Sequence, residues 1–272
     1  MTVPEAHHDV TICALKCGIP VLGEKPMAHS MDAAREMVAA SERAGKLYMV
    51  SQSRRYDARL HAYKRLIDGQ IGDVGILNVD FYIGAHFGGF RDEMASPLIL
   101  DMAIHTFDQA RFLSGRDAVA VYCEEFNPAW SWYQGDAGAT ALFEMEGCLR
   151  FTYRGSWCAE GLHTSWDGDW RAVGHRGSAK WNGSADISGI EVSVVVAPNG
   201  FHSQTEERRP DATANNTDVP AGIAGSLQDF LFALRTGKAP MGECHDNIKS
   251  LAMVFGAVES SRTGRRVRIL QL

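Results

Sequence analysis

The chain has 272 residues, of which 45% are hydrophobic and 22% are charged, so it is long enough to form one large domain or two smaller ones. Its formal net charge of -6 at pH 7 excludes a general attraction to nucleic acid or anionic membranes. The first ten residues lack the features of a signal peptide, and no stretch approaches the roughly 20 apolar residues of a membrane-spanning helix. We therefore expect a cytoplasmic protein with no nucleic-acid and no membrane partner.

Residues 1–52 alternate between helical and strand patterns. A short helix is predicted to end before Gly18, and the apolar stretch IPVLGE follows it as a buried strand. Ser30 is a suitable N-cap for a second helix, Gly45 suits the left-handed position at its end, and KLYMVSQ is the next strand. This alternation is typical of a parallel, doubly wound sheet, but it supplies two strands where such sheets have about five or six. The segment therefore resembles the second half of such a domain.

From residue 53 the pattern changes to a different kind of domain. A helix is predicted over residues 57–69, and runs with strand alternation occupy residues 74–84, 118–126, 138–147, 148–157 and 189–198. Helical patterns span residues 98–115, 221–237 and 245–264, and the polar segment 199–220 is predicted to be an exposed loop. The predicted fold class is α/β: a remnant of a Rossmann-type parallel sheet, followed by an α+β domain with a large, mainly antiparallel open sheet.

The six cysteines form no CxxC pair, which favours reduced and mostly buried thiols over disulfides or a structural zinc site. Cys13 and Cys17 are one helical turn apart, with His7 and His8 nearby, so a metal site is an alternative there. Packing on a helix face is the favoured interpretation, and we predict no metal site.

Lys25 lies in the stretch VLGEKPMAHS, where a predicted strand ends and a helix is about to begin. A lysine held between a carboxylate and a proline at the end of a sheet strand is a candidate catalytic group. The alternative is a solvated lysine that forms a simple ion pair with Glu24.

Asp101, His105 and Asp108 are spaced so that they fall on roughly one face of the predicted helix 98–115. A carboxylate one turn from an imidazole can hold its tautomer and stabilise the imidazolium, as a general base near neutral pH requires. The neighbouring residues are apolar, so the alternative is a buried polar cluster that joins helix to sheet.

These segments together resemble the Gfo/Idh/MocA family of oxidoreductases, the glucose-fructose oxidoreductase and inositol dehydrogenase type. The resemblance is carried by EKP after VPEAHHDVTICALKCGIPV, by SRRYDARLHAYKRLIDGQIGDV and by LILDMAIHTFDQARFL. It continues through SWDGDWRAVGHRGSAKW to CHDNIKSLAMVFGAVESSRTGRRV. It implies the C-terminal part of a Rossmann dinucleotide-binding domain at residues 1–52 and a substrate-binding and oligomerisation domain at residues 53–272. It further implies NAD or NADP as cofactor, a sugar or cyclitol as substrate, and a homo-oligomer formed through the large sheet.

The resemblance also implies roles for individual residues. Lys25 matches the lysine that holds the reacting hydroxyl beside the nicotinamide, His105 the proton acceptor, and Asp101 its orienting partner, so these three residues also contact substrate. The remaining matches are on the cofactor side: Pro4 and His7 near its ribose, Glu24 and Pro26 beside the nicotinamide, and Arg55 near the mouth of the site. Tryptophans such as Trp157, Trp166 and Trp170 could stack on a sugar ring, but packing on the sheet is the favoured interpretation for each of them.

The sequence departs from the family at the phosphate-binding turn. None of its 27 glycines forms a G-x-G pair, and the acidic residue expected about 20 residues later has no candidate. Three explanations are open: an incomplete chain, a short form that is completed by a partner chain, or a short form without redox activity. The predicted function is an NAD(P)-dependent oxidoreductase acting on a hydroxyl or keto carbon of a sugar or cyclitol. The alternative is a non-redox carbohydrate-binding or assembly protein, or a cofactor-independent lyase or hydrolase that uses Lys25, Asp101 and His105.

Overall fold

A small parallel sheet begins the fold. The computed structural model describes residues 4–184, 187–197, 201–210 and 220–269. Its first elements are helix α1 (Pro4–Lys16), strand β1 (Val21–Gly23), helix α2 (Met31–Ala44) and strand β2 (Tyr48–Val50). Strands β1 and β2 pair in parallel, with Val21 opposite Tyr48, and α1 packs against α2. The predicted alternation of helix and strand is confirmed.

The ends of α2 follow directly from its sequence. The Ser30 hydroxyl accepts a hydrogen bond from the Ala33 backbone N–H at 3.1 Å, which caps the first turn. Gly45 ends the helix in the left-handed conformation at a φ of 59°. Both predicted caps are confirmed, and the buried Met37 faces the inside of the fold between them.

The rest of the chain supplies a larger sheet and the helices that cover it. The further helices and strands are, in chain order, α3 (Ala58–Gln70), β3 (Val74–Tyr82), the single turn α4 (Phe90–Glu93), α5 (Ile104–Ser114), β4 (Ala118–Phe126), β5 (Gly138–Met145), β6 (Arg150–Ser156), β7 (Asp169–Gly174), β8 (Gly177–Trp181), β9 (Ile190–Ala197), β10 (Gln204–Arg208), α6 (Gly222–Thr236), α7 (Cys244–Thr263) and β11 (Val267–Arg268). None of the helices in the described part of the chain is long and apolar enough to cross a membrane.

The larger sheet has nine strands in the order β10-β9-β8-β7-β3-β6-β5-β4-β11. Among the described strands, β3 and β6 form the one parallel pair, so the predicted large, mainly antiparallel sheet is confirmed. Helices α3, α5 and α7 contact strands of this sheet, and a core of aromatic rings that includes Phe107, Phe143 and Phe151 lies between the layers. Helix α7 also reaches the small sheet, because Ile248 and Leu251 belong to the same apolar cluster as Met37.

Part of the sheet differs from the prediction. Strands β7 and β8 form a hairpin that the sequence analysis did not identify, although Trp170 and Ala172 alternate with polar residues along β7; the two strands have only six and five residues. Strand β10 lies inside the predicted loop 199–220, and all five of its residues are exposed because it is an edge strand. Residues 199, 200 and 211–219 of that predicted loop lie outside the described residues.

Two further predictions are corrected. The predicted single helix 98–115 is a π-helical segment, Leu98–Ala103, followed by α5, so its side chains do not follow one α-helical face. The prediction of mostly buried thiols holds for three cysteines only: Cys123, Cys158 and Cys244 are buried, whereas Cys13, Cys17 and Cys148 are exposed.

Candidate active site

Lys25 follows strand β1 and reaches across to the π-helical segment. Its ammonium group donates hydrogen bonds to the Asp101 carbonyl oxygen at 2.7 Å and to the Asp101 carboxylate at 2.9 Å. The Glu24 carboxylate is exposed and, within the described part of the chain, accepts from the Lys25 backbone N–H at 3.3 Å and not from its ammonium group. The alternative interpretation, an ion pair of Lys25 with Glu24, is therefore wrong. The Lys25–Pro26 peptide bond is cis.

The Asp101 carboxylate is shared between two cations. One oxygen accepts from Lys25, and the other accepts from the Arg91 guanidinium at 2.7 Å. Burial raises the pKa of Asp101, but the charge of Lys25 and the hydrogen bonds from Arg91 and Lys25 outweigh burial and hold that pKa below its ordinary value. Asp101 is therefore an ionised carboxylate that holds two positive side chains in place.

His105 lies on the first turn of α5 and is held in its neutral form. Its Nδ1 atom is buried and has no hydrogen-bond partner among the described residues. Burial lowers the pKa of the imidazole well below 6.5, and the charges of Arg54 and Lys25 lower it further. A neutral imidazole can accept a proton at neutral pH. The predicted pairing with Asp101 is not formed, because His105 Nδ1 has no partner among the described residues and the Asp101 carboxylate instead accepts from Lys25 and Arg91.

Asp108 and Arg55 lie elsewhere, in a buried ionic network. The Arg55 guanidinium donates two hydrogen bonds of 2.7 Å to the Asp108 carboxylate and one of 2.6 Å to Asp246 on α7. Ser250 on α7 also donates to Asp108. The prediction that Asp108 shares a face with Asp101 and His105 is wrong, because Arg55 and α7 hold it on the other side. Arg55 likewise occupies the interior and not the predicted mouth of the site.

Arg54, the residue before Arg55, is the arginine whose charge lowers the pKa of His105. Its guanidinium donates to the Trp166 carbonyl oxygen and lies 3.8 Å from the Met102 sulfur. The sequence analysis selected Arg55 and not Arg54, although the two arginines are adjacent and either one could have been the residue at the site. On the short 3-10 turn Ser53–Tyr56, neighbouring side chains point in different directions, so only one of the two can enter the ionic network.

Aromatic side chains form one rim of the site. The Trp166 ring is 47% exposed and lies 6.1 Å from the Phe87 ring, and Phe87 lies 5.2 Å from Trp157. The Arg91 guanidinium lies over the Phe87 ring at 5.1 Å. Trp157 and Trp170 are buried in the sheet layer, as the packing interpretation predicted for them. Trp166 is only half-buried, and its stacking on a sugar ring stays a prediction.

The residues predicted for the cofactor side lie around the end of β1. The His7 ring, at Nδ1, donates to the Pro26 carbonyl oxygen at 2.9 Å. Pro4, Pro26 and Asp101 line one cavity of about 130 Å³, whose other walls are mainly apolar and include Phe90, Leu100 and Leu251. The structure therefore brings these predicted residues together beside Lys25.

The alternative metal site near the N-terminus is not assembled from its four predicted residues. His7 bonds to Pro26, and His8 contacts Asp9 and Glu36. Among the described residues, the group close enough to hold an ion is Glu243, Cys244 and His245 at the start of α7. These three already bond to one another, and burial raises the pKa of the Cys244 thiol, which disfavours the thiolate that a metal needs.

Two parts of the chain match models of known protein families. Residues 1–52 match the model described as oxidoreductase family, NAD-binding Rossmann fold, and residues 60–180 match the GFO/IDH/MocA C-terminal domain. A D-apiose dehydrogenase from Paraburkholderia graminis is 27% identical over 279 residues, which cover 100% of this chain and 72% of that protein. An inositol 2-dehydrogenase from Streptomyces avermitilis is 36% identical over 118 residues, covering 43% of this chain and 34% of that protein.

Solved structures share the same fold. An oxidoreductase from Agrobacterium radiobacter, determined with NAD+, L-tartaric acid and magnesium, aligns with a TM-score of 0.81 at 22% identity. The alignment covers 98% of this chain and 78% of that one. The WlbA dehydrogenase from Bordetella pertussis, determined with NADH and UDP-GlcNAcA, aligns with a TM-score of 0.80 at 18% identity and covers 99% of this chain and 78% of that one.

Proposed function

Because the chain belongs to the GFO/IDH/MocA family of oxidoreductases, we propose that it transfers hydride between NAD or NADP and a hydroxyl or keto carbon of a sugar or cyclitol. One observation carries this proposal. The Lys25 ammonium, fixed by Asp101, and the neutral imidazole of His105 lie close enough for the charge of Lys25 to lower the pKa of His105. A positive donor and a proton acceptor of this kind are what the oxidation of an alcohol requires.

The roles of the residues follow from the charges that change during the reaction. When the C–H electron pair leaves the substrate carbon as hydride, the hydroxyl proton must leave the oxygen and a C=O bond forms. Lys25 donates a hydrogen bond to that oxygen, and His105 accepts its proton. Asp101 acts as a positioning residue, because its carboxylate and carbonyl hold the Lys25 ammonium. In the reverse direction His105 returns the proton to the carbonyl oxygen.

The cavity beside Lys25 suits the flat ring of a nicotinamide. Its walls are mainly apolar and include Pro4, Pro26 and Leu100, and it opens onto Asp101. In this proposal Pro26 and Glu24 adjoin the ring, and Pro4 and His7 lie on the ribose side. The bound NAD or NADP supplies the hydride acceptor, which is chemistry that side chains do not provide.

We also propose that the large sheet forms a homo-oligomer interface. Tyr122 on β4 and Leu142 on β5 lie directly opposite each other, and their side chains are 50% and 44% exposed. Paired apolar side chains on an open sheet face favour burial against a second copy of the chain.

Titration of the purified chain with NADH and NADPH, followed by calorimetry, tests the redox proposal. We expect saturable micromolar binding and substrate-dependent formation of NAD(P)H with a sugar or cyclitol. The Lys25→Met variant should keep its circular dichroism spectrum and lose turnover, whereas Arg35→Met, on the exposed face of α2, should keep both. Sugar binding without any cofactor binding would contradict the proposal and would favour a non-redox carbohydrate-binding protein.

A further inference from the structure

Arg54 lies between the two segments that enclose the candidate site. Its guanidinium donates to the main-chain carbonyl of Trp166 on one side and contacts the sulfur of Met102, the neighbour of Asp101, on the other. The side chain is only 17% exposed. A positive charge that is this far removed from water is costly unless it is paired closely or binds a ligand.

The pairing of Arg54 within the chain is weak. The carboxylate of Asp167 lies 3.6 Å away, beyond hydrogen-bond distance, and also accepts from Gln109 at 3.2 Å. Asp57 attracts Arg54 electrostatically but is held by hydrogen bonds from Arg59. The neighbouring Arg55 provides the contrast, because its contacts with two carboxylates are 2.6 to 2.7 Å long.

Two further features of the site point to an anionic ligand. The single carboxylate of Asp101 serves both Lys25 and Arg91, which leaves positive charge in excess. In addition, the Tyr153 hydroxyl is fully buried and has no partner among the described residues, although it lies close enough to Arg54 to interact with its charge. The Tyr153 hydroxyl therefore leaves an unsatisfied polar group near the Arg54 guanidinium, whose own carboxylate partner is distant.

We propose that the substrate is a sugar acid, and that Arg54 binds its carboxylate while the reacting hydroxyl lies at Lys25 and His105. This inference rests on the proposed function and names the substrate class for the same site. A guanidinium presents a planar fork of donors that matches a planar carboxylate. With a neutral sugar, the three cations Lys25, Arg54 and Arg91 would be balanced mainly by two carboxylates, those of Asp101 and Asp167.

Calorimetric binding of matched ligand pairs tests the assignment without requiring turnover. The ligands are hexuronates and aldonates, each compared with its neutral parent sugar, with the corresponding sugar phosphates as a third set, all in the presence of saturating NADH. We expect at least one acid to bind about 10- to 100-fold more tightly than its parent, the range expected for a hydrogen bond to a charged group. No preference for any acid over its parent would overturn the proposal, as would stronger binding of the phosphates.

Variants of Arg54 separate ligand recognition from a structural role. Arg54→Met should reduce the affinity for the acid to that for the neutral parent and leave the parent's affinity unchanged, and Arg54→Lys should recover part of the difference. The matched control Arg35→Met, which removes an exposed arginine on α2, should change neither affinity. Equal losses for the acid and the parent would show that Arg54 only supports the Trp166 segment, and would overturn the proposal.

Turnover distinguishes this inference from the proposed function. Binding of the acid that depends on Arg54, without any NAD(P)H-linked reaction, would contradict the redox function and leave the carboxylate assignment standing. Oxidation of a neutral sugar with the same kcat/KM as its acid would support the redox function and overturn the carboxylate assignment.

Discussion

His105 is the residue whose protonation controls the candidate site. Burial and the nearby charges of Arg54 and Lys25 all favour the neutral imidazole, so its pKa lies well below 6.5. In the proposed function, Lys25, one of the two charges that make His105 difficult to protonate, also donates to the reacting oxygen of the substrate. The site therefore combines a proton acceptor with positive donors, and it keeps that combination at pH values where a free histidine would be charged.

Replacement of the imidazole tests its proposed role directly. His105→Gln should lower kcat by about 100- to 10,000-fold, because a positioned general base contributes that much to proton transfer. Steady-state kinetics in a cofactor-competent preparation measures the loss, with circular dichroism and thermal unfolding as controls for folding. Activity within a factor of about two of the wild type would remove His105 as the base.

The depressed pKa of His105 also makes stability depend on pH. Below about pH 6.5 the unfolded chain binds a proton at His105 while the folded chain does not, so the free energy of unfolding falls as the pH decreases through that window. Urea denaturation at about pH 7.5 and about pH 5.5 should show a smaller acid-induced loss for His105→Gln than for the wild type.

The pKa values of His8 and His245 are raised, so these residues contribute stability at low pH with the opposite sign. They are present in both proteins and cancel in the comparison between His105→Gln and the wild type. An identical loss of stability in the two proteins would show that His105 titrates as it does in the unfolded chain.

At the scale of elements, the site depends on a buried ionic network that fixes α5 relative to its neighbours. Arg55 on the 3-10 turn, Asp108 on α5 and Asp246 on α7 join three elements that are far apart in the sequence. Arg111 on α5 extends the network to Asp246 at 2.6 Å. Because His105 lies one turn before Asp108, this network sets the position of the imidazole.

Breaking the network should destabilise the fold strongly. Asp108→Asn removes the partner of a buried guanidinium, and loss of one member of a buried ion pair costs about 3–5 kcal/mol. Urea denaturation measures the change in the free energy of unfolding. The same change at Asp32, which forms an exposed pair with Arg35, should cost at most about 1 kcal/mol. Similar losses in the free energy of unfolding for Asp108→Asn and Asp32→Asn would show that burial does not determine the cost of breaking these ion pairs.

At the scale of the whole molecule, one face of the large sheet carries exposed apolar side chains. Helices α3, α5 and α7 pack on the inner face, whereas Tyr122 and Leu142 are exposed on strands β4 and β5. Burial of such side chains against a second copy would stabilise an oligomer by about 25 cal/mol for each Å² of apolar surface removed from water.

Light scattering coupled to size-exclusion chromatography tests this interface. The wild-type chain should elute as an oligomer, and Leu142→Glu should shift it towards the monomer, because a charge opposite Tyr122 cannot be buried without a partner. Leu162→Glu is the matched control, since Leu162 is fully exposed in a loop. A monomeric wild-type chain would contradict the proposed interface.

The sequence by itself determined the local structure and the family. Ser30 and Gly45 marked the ends of α2 because capping depends on a few neighbouring backbone groups. The alternating runs indicated the large sheet because one of its faces is buried. Lys25, Asp101 and His105 were identified as candidates by their residue types and by the segments that surround them.

Only the tertiary structure decided which of these groups meet. Lys25 bonds to Asp101 across 76 residues, the charge of Arg54 and not that of Arg55 lowers the pKa of His105, and Asp108 belongs to a network with α7. Strand β10 was missed because all five of its residues are exposed, so it is defined by its pairing with β9 and not by an alternation of buried and exposed residues. Such pairings depend on the packing of distant segments, which local periodicity does not encode.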